Sequence, residues 1–453
     1  MTTLQYDLVI VGAGSGDMLI TDELSEWRIA IVDSYRFGGT CLNRGCVPSK
    51  MLVYSADVAQ SVRHADRFGV RASWQGANWP AIRDRVFSRI DPLHERAVRH
   101  RRKNGIDVYL DHAYFVGEKR LQVGGDVLEA DRFVLAAGAR PFVPPLPGLD
   151  GVNYFTSDTL MQIDVLPKSM AVVGGGFISA EMSHIFGSLG TAITIINRGE
   201  HLLARHDHDI RDQFTKHYGS RFDLRLGTTV ERVEPTDAGV RLHFATPSGK
   251  PSIEVDALLI ATGRTPNGDL LNVAGTGINV DEHGHVHTDD TYLTNIPGIW
   301  ALGDVTNHFQ LKHMANAEAR IVRHNLMHPN APKHASFPVV PSAVFADPQV
   351  ASVGATEEEL RAQGRAYVAA IQPYRDTAYG WALEDTSSFV KILADPNTRL
   401  LLGAHLIGPQ ASILIQPLVQ AMCLANTVDQ VASGVIYIHP ALSEVIERAL
   451  LAL

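Results

Sequence analysis

The sequence predicts an α/β chain with two parallel-sheet units and a third, α+β unit at its C-terminal end, and three observations carry that reading. Two apolar stretches, Tyr6–Val11 and Met170–Val173, each run straight into a glycine-rich turn, Gly12-Ala13-Gly14-Ser15-Gly16-Asp17 and Gly174-Gly175-Gly176-Phe177-Ile178. Each turn leads into a helical stretch and then a second short apolar run, Ile29–Val32 and Ala192–Ile196. This is the pattern of a Rossmann-like βαβ unit, whose glycines let the backbone approach a pyrophosphate at a helix N-terminus. Third, the rhythm changes beyond a proline- and histidine-containing segment, 329–341, which reads as a linker. Alternating strands around 367–374, 389–393 and 401–407 are followed there by a helix with Ile413, Leu414, Pro417, Leu418 and Ala421. A chain of 453 residues fits about three domains. The boundaries are drawn at 1–148, 149–262, 263–332 and 333–453, the third range returning to the first unit.

In chain order, the residues after Gly16 read as a helix to about Glu26, and Asp33 ends the second strand, where an acid accepts from a ribose hydroxyl. Asp17 occupies the third glycine position, and an anion near a pyrophosphate is costly unless it points away. The span 81–104 reads as a long charged helix, with the basic run Arg99–Lys103 as a solvated face. Strands follow at 107–110, 113–116, 120–128 and 133–137, then Gly138 and a stiff stretch from Pro141 to Pro147. In the second unit the strand end is Asn197-Arg198, and a cation there suits a 2′-phosphate. The first turn therefore predicts a dinucleotide with a bare ribose and the second one with a phosphorylated ribose. A glycine-rich βαβ unit with no ligand is the alternative for the second. A strand at 258–261 and the stretch Gly298–Asp304 complete this part.

Net charge is −9, which argues against general nucleic-acid attraction. No apolar run approaches the ~20 residues of a membrane span, and Met1–Tyr6 lacks the basic start of a signal peptide. A soluble cytoplasmic protein, without nucleic-acid or membrane partners, is expected. Three cysteines do not make a disulfide scaffold, and no second cysteine pair or nearby histidine pair completes a metal site. Cys423, in an apolar helical stretch, reads as a core residue.

Cys41 and Cys46 stand apart. They lie in Gly38-Gly39-Thr40-Cys41-Leu42-Asn43-Arg44-Gly45-Cys46-Val47-Pro48-Ser49-Lys50, just before a helical stretch, 51–61. A disulfide closing so small a ring is tight and reducible. Cys46 lies where a helix begins, and the backbone N–H groups and dipole there favour a thiolate. Two unrelated buried cysteines are the bland alternative.

That stretch closely resembles the redox motif of the class I flavoprotein disulfide reductases, and the resemblance runs in order from Tyr6 to Leu453. It implies FAD at the first turn, NADPH at the second and a homodimer formed through the C-terminal unit. By the same resemblance Cys41 is the interchange thiol, Cys46 the flavin-proximal sulfur, and Lys50 and Glu181 an ion pair beside the flavin. His439, oriented by Glu444 in His439-Pro440-Ala441-Leu442-Ser443-Glu444, is the acid–base group, with Pro440 expected at the first helical position. Cofactor contacts are implied at Gly12, Gly14, Ser15, Gly16, Asp33, Gly39, Thr40, Cys46, Lys50, Ala113, Gly138, Gly263, Asp304 and Lys312. Around the second turn they are implied at Gly174, Gly176, Phe177, Ile178, Glu181, Asn197, Arg198 and Arg205. Phe177 replaces a tyrosine common in the family, and Arg205 lies one step beyond the usual second phosphate-binding arginine. The activity implied is NADPH-dependent reduction of a small thiol disulfide. Tyr379–Ser387, Gly403-Ala404-His405, 415–422 and the C-terminal stretch resemble the branch acting on mycothione, the disulfide of a cysteine–glucosamine–inositol thiol. A chain ending without a Cys-bearing tail argues against types that use a second redox pair. Dihydrolipoamide dehydrogenase or glutathione-reductase-like activity is the alternative, and a non-catalytic nucleotide-binding redox sensor a remote one.

Overall fold

The computed structural model describes residues 2–245 and 252–453. The first sheet forms because its central strands are apolar on both faces. Ile29–Val32 is buried throughout, as is the end of Thr2–Val11, which suits a parallel sheet covered on both sides. Its parallel strands run in the order Asp107–Tyr109, Ile29–Val32, Thr2–Val11, Asp126–Leu135, Ile299–Ala301. The last strand, far along the chain, pairs Ile299 with Phe133, so the chain comes back to the unit it began in. A hairpin, Ala113–Gly117 and Arg120–Val123, adds antiparallel to the first half of Asp126–Leu135.

The second unit holds a four-stranded parallel sheet in the order Asp223–Arg225, Ala192–Ile196, Ser169–Val173, Ala257–Ile260. A three-stranded antiparallel sheet, Thr229–Thr236, Gly239–Ala245 and Ser252–Val255, accompanies it. Two short antiparallel strands, Ala139–Pro141 and Arg264–Pro266, tie the outgoing and returning chain together. The C-terminal sheet is antiparallel, in the order Ser342–Val344, Val350–Gly354, Leu401–Ile407, Phe389–Ala394, Val368–Pro373. Helices Ala411–Cys423, Val428–Ser433 and Glu444–Leu451 share its core. The first two of these strands are absent from the sequence reading. They are too short to show periodicity.

A buried ion cluster joins the second unit to the C-terminal sheet. Lys391, fully buried on Phe389–Ala394, places Nζ 2.8 Å from Asp207 Oδ1, 2.6 Å from Asp209 Oδ2 and 2.6 Å from Glu357 Oε2. Asp207 also caps helix His208–Arg221. Asp207, His208 and Glu357 have metal-ligand spacing, but the ammonium of Lys391 already bonds both carboxylates.

Several expectations are corrected. The helix from Gly16 to Glu26 is instead two 3-10 turns, Gly16–Leu19 and Asp22–Leu24, split by an extended Thr21. Threonine and aspartate there favour turn and cap conformations over a helix interior. The expected strand 120–128 is two strands joined at Gly124-Gly125. Arg101 is not on a solvated face: it turns inward onto Asp17. Cys423 is exposed, on the outer side of its helix. The C-terminal helix begins at Glu444, so Pro440 lies in the turn before it.

Candidate active site

A cleft runs along the C-terminal ends of the first sheet's strands, where ligands of open α/β sheets bind. Gly12, Gly14, Ser15, Asp33, Gly39, Thr40, Gly138, Asp304 and Lys312 line it, together with both cysteines, Lys50 and Glu181. Phe177 and Ile178, from the second glycine-rich turn, close it from the other side. One wall is set by two glycines. A Cβ on Gly39 would stand 2.8 Å from Gly14 Cα, so the cysteine-bearing segment packs backbone to backbone on the first turn.

Cys41 lies in a short helix, Gly39–Arg44, and Cys46 begins the next, Cys46–Arg63, after a non-helical Gly45. Buried Asn43 fixes the loop by donating to Phe37 O and Gly39 O, both at 2.9 Å. The two cysteines are not bridged to each other, and both line the cleft. Their mutual influence pushes the Cys41 thiol up and pulls Cys46 down to about 7, with the Lys50 charge also favouring the Cys46 thiolate.

Lys50 Nζ lies 2.7 Å from both carboxylate oxygens of Glu181, whose Oε1 also accepts from Phe345 N. Glu181 is buried in helix Phe177–Leu189, so the pair links the redox helix to the second unit. Asp33 accepts from Ala13 N at 2.7 Å and Tyr35 N at 2.8 Å, and burial nonetheless raises its carboxyl. Burial also raises Asp304, whose Oδ2 is 4.0 Å from Arg264 Nε. Behind Asp304 stands a residue that sequence reasoning missed. Glu318 is buried, accepts from Gly303 N at 2.6 Å and Asn307 Nδ2 at 2.9 Å, and is pushed up to about 7 by burial. No local motif marks it. The only signal was an acid on a helix following Gly303-Asp304.

Other candidates lie elsewhere. Gly16 packs against Ile10 and Ala136 instead of lining the cleft, and Ala113 belongs to the first unit's core. Gly174, Gly176 and Gly263 do not line the cleft. Asn197 spends its amide on Gly199 O (3.1 Å) and His201 O (2.9 Å). Arg198 and Arg205 are exposed close by, and neither makes an ion pair among the described residues. His439 Nδ1 lies 2.8 Å from Glu444 Oε1, and this bond holds Glu444 below the usual carboxylate range. The His439 side chain is 72% exposed and does not line the cleft of its own chain.

Asp17 resolves the oddity of the first turn. Arg101 donates to Asp17 Oδ1 at 2.8 Å and to its Oδ2 and backbone O at 3.0 Å. The carboxylate is neutralised by the long helix Trp79–Lys103.

A dithiol beside a buried ion pair, in a cleft shared by two glycine-rich βαβ turns, defines a flavin- and nucleotide-dependent disulfide oxidoreductase. Residues 6–319 match the pyridine nucleotide-disulphide oxidoreductase family and residues 340–450 its dimerisation domain. The chain belongs to this family of enzymes, which use FAD and a pyridine nucleotide. It is similar to mycothione reductase of Mycobacterium tuberculosis, 42% identical over 99% of both chains. It is also similar to glutathione reductase of Burkholderia cepacia, 31% identical over 98% of both. The flavoprotein disulfide reductase RclA of Escherichia coli, in its Cu(II) complex, superposes with a TM-score of 0.87 at 27% identity, over 99% of this chain and 100% of that one. The cleft fits FAD: its turns come within backbone contact, and an acid stands at the strand end.

Proposed function

We propose that this enzyme reduces a low-molecular-weight thiol disulfide at the expense of NADPH, and that the disulfide is mycothione. The observation that carries the class is that Cys41 and Cys46 both line a cleft reached by both glycine-rich turns. Similarity to mycothione reductase supports the substrate. FAD, when bound, supplies the route for an electron pair from the nucleotide to the two sulfurs. Cys41, once deprotonated, attacks one substrate sulfur. The substrate S–S bond breaks, a Cys41 mixed disulfide forms, and the leaving thiolate takes a proton from the imidazolium of His439. The Cys46 thiolate then attacks Cys41 Sγ, restoring the Cys41–Cys46 disulfide and releasing the second thiol, protonated in turn.

His439 serves from the partner subunit of a homodimer. Ile436 is 99% and Ile438 75% exposed immediately before it, an apolar surface that a second copy covers. No helix among the described residues is long and apolar enough to cross a membrane.

Mycothione presents sugar hydroxyls and amides, whereas glutathione disulfide presents carboxylates. A site built for hydroxyls rejects a carboxylate that it leaves unmatched. A panel of mycothione, glutathione disulfide and lipoamide, followed by NADPH absorbance, tests this. A higher kcat/KM for either of the last two overturns the mycothione assignment. Cys41→Ser is expected to lose disulfide reduction and keep flavin reduction by NADPH, read by rapid mixing. His439→Ala is expected to slow turnover about 10²-fold or more without slowing flavin reduction.

A further inference from the structure

We propose that His184 is a positioning residue for the redox pair: through Asp57 it fixes the register of the helix that begins at Cys46, and so holds Cys46 and Lys50 in place against the second unit. The inference rests on the reading of Cys41 and Cys46 as the exchanging pair.

Helix Cys46–Arg63 and helix Phe177–Leu189 face each other through two stripes of side chains. Lys50, Asp57 and Gln60 lie along one, and Glu181, His184 and Ser188 along the other. Three polar rungs cross the seam. Lys50 Nζ lies 2.7 Å from both Glu181 oxygens, His184 Nε2 lies 2.8 Å from Asp57 Oδ1, and Gln60 Nε2 lies 2.8 Å from Ser188 Oγ. His184 and Ser188 are fully buried, and neither lines the cleft. Apolar neighbours on the two helices, such as Val53 and Ile185, share one core cluster. Apolar contact has no preferred offset along a seam, whereas a hydrogen bond tolerates only about half an ångström. The rungs therefore set the register. The first alone is a pivot. The second, about 10 Å further along the redox helix, stops it rocking about that pivot.

The surroundings of the His184 ring also fix where its proton sits. Gln60 and, at 3.2 Å, Arg221 Nη2 both donate to Ser188 Oγ, so the single proton of that hydroxyl goes to His184 Nδ1, 3.2 Å away. Arg221 Nη2 also lies 3.5 Å from that Nδ1 and can only donate. Nδ1 is thus an acceptor, and the ring proton is on Nε2, aimed at the Asp57 carboxylate. A neutral imidazole donating to a carboxylate makes a charge-assisted, directional bond. Arg221 carries the network on: its Nη1 donates to Asp347 O at 2.6 Å and to Asp347 Oδ2 at 3.2 Å. Phe345, in the same segment, donates its N–H to Glu181 Oε1 at 3.1 Å. The bonds thus run in a loop from the redox helix through the second unit to segment 345–347 and back to the Lys50–Glu181 rung. Within that loop His184 supplies the bond to a charged group on the redox helix beyond Lys50.

The test uses flavin-loaded protein reduced with dithiothreitol, in wild-type, His184→Leu, His184→Gln, Asp57→Ala and doubly substituted His184→Leu, Asp57→Ala forms. Carbamidomethylation of Cys46 by iodoacetamide is followed by peptide mass spectrometry across pH, with the melting temperature recorded alongside. The Lys50 charge, one helical turn from Cys46, favours its thiolate. Moving a charge about 1 Å outward from about 4 Å, at an effective dielectric of about 20, shifts a pKa by about half a unit. His184→Leu should therefore move the Cys46 profile up by about half a unit and slow its labelling about threefold at pH 6. Glutamine still donates towards Asp57, so His184→Gln should return the profile to that of wild type. Asp57→Ala should match His184→Leu, and the double variant should be no worse than either, because both remove the same bond. A lower melting temperature with an unmoved Cys46 profile overturns the inference, since a merely structural histidine gives that result. Additive effects in the double variant overturn it too. If His184→Leu does not fold, Asp57→Ala, at a side chain 44% exposed, carries the same test. If Cys41→Ser still turns over the disulfide, the exchange reading fails and takes this inference with it. An inactive Cys41→Ser protein with an unmoved Cys46 profile in His184→Leu overturns the role of His184 alone.

Discussion

At Gly12 an added Cβ would meet Ala136 O at 2.2 Å, and at Gly174 it would meet Ala261 O at the same 2.2 Å. Both glycines have positive φ, +109° and +126°. Both donate to the next strand's last residue, Val32 O at 2.7 Å and Ile196 O at 2.9 Å. Beyond the turns the two units diverge. The first continues as 3-10 turns, with an acid neutralised from a distant helix, and ends its strand in Asp33. The second continues as the 13-residue helix Phe177–Leu189 and ends its strand in Asn197-Arg198. The turn is thus fixed by backbone crowding alone. The segment beyond it varies between the two units, and so does the strand end.

The largest effects should come from the shared feature. Gly12→Ala should yield protein without flavin, because the methyl strikes a carbonyl and the backbone is left-handed. Gly174→Ala should retain flavin but lose reduction by NADPH. The flavin-to-protein absorbance ratio and anaerobic NADPH titration separate the two. A flavin-free Gly174→Ala protein would break the comparison, since the turns would then not act independently.

Next is the strand end. Arg198→Glu should narrow or invert a preference for NADPH over NADH of about ten- to a hundredfold, the worth of one charge-assisted phosphate contact. Equal kcat/KM for both nucleotides in the wild type would contradict this. Arg205→Ala should matter less.

The smallest effect sharpens the difference between the turns. Arg101→Ala leaves the Asp17 carboxylate uncompensated at the first turn and should cost on the order of 1–3 kcal/mol of stability. Denaturant titration reads it. Adding Asp17→Gly to Arg101→Ala should recover much of the loss, and no recovery would mean that Arg101 acts through some other contact.

These elements also separate what was legible in the sequence from what was not. The two glycine turns, the Cys41–Lys50 stretch and the His439–Glu444 spacing are local, and short-range geometry constrains their residue types directly. The Arg101–Asp17 pair spans 84 positions, so the arginine read only as part of a basic run. The replacement of a helix by 3-10 turns after Gly16 depended on Thr21-Asp22, a weak signal inside a strong motif. Cys423 was assigned to the core because helical periodicity identifies an apolar face but not what covers it.

The Lys391 cluster bears on heat as well as on structure. One buried ammonium bonded to carboxylates from both units makes the four-stranded parallel sheet and the antiparallel sheet lose their order together. Separating them would leave Lys391 with Glu357 alone and strip Asp207 and Asp209 of their cation, a penalty of several kcal/mol. Calorimetry should record a single melting transition for these two units, and Lys391→Met should divide it in two.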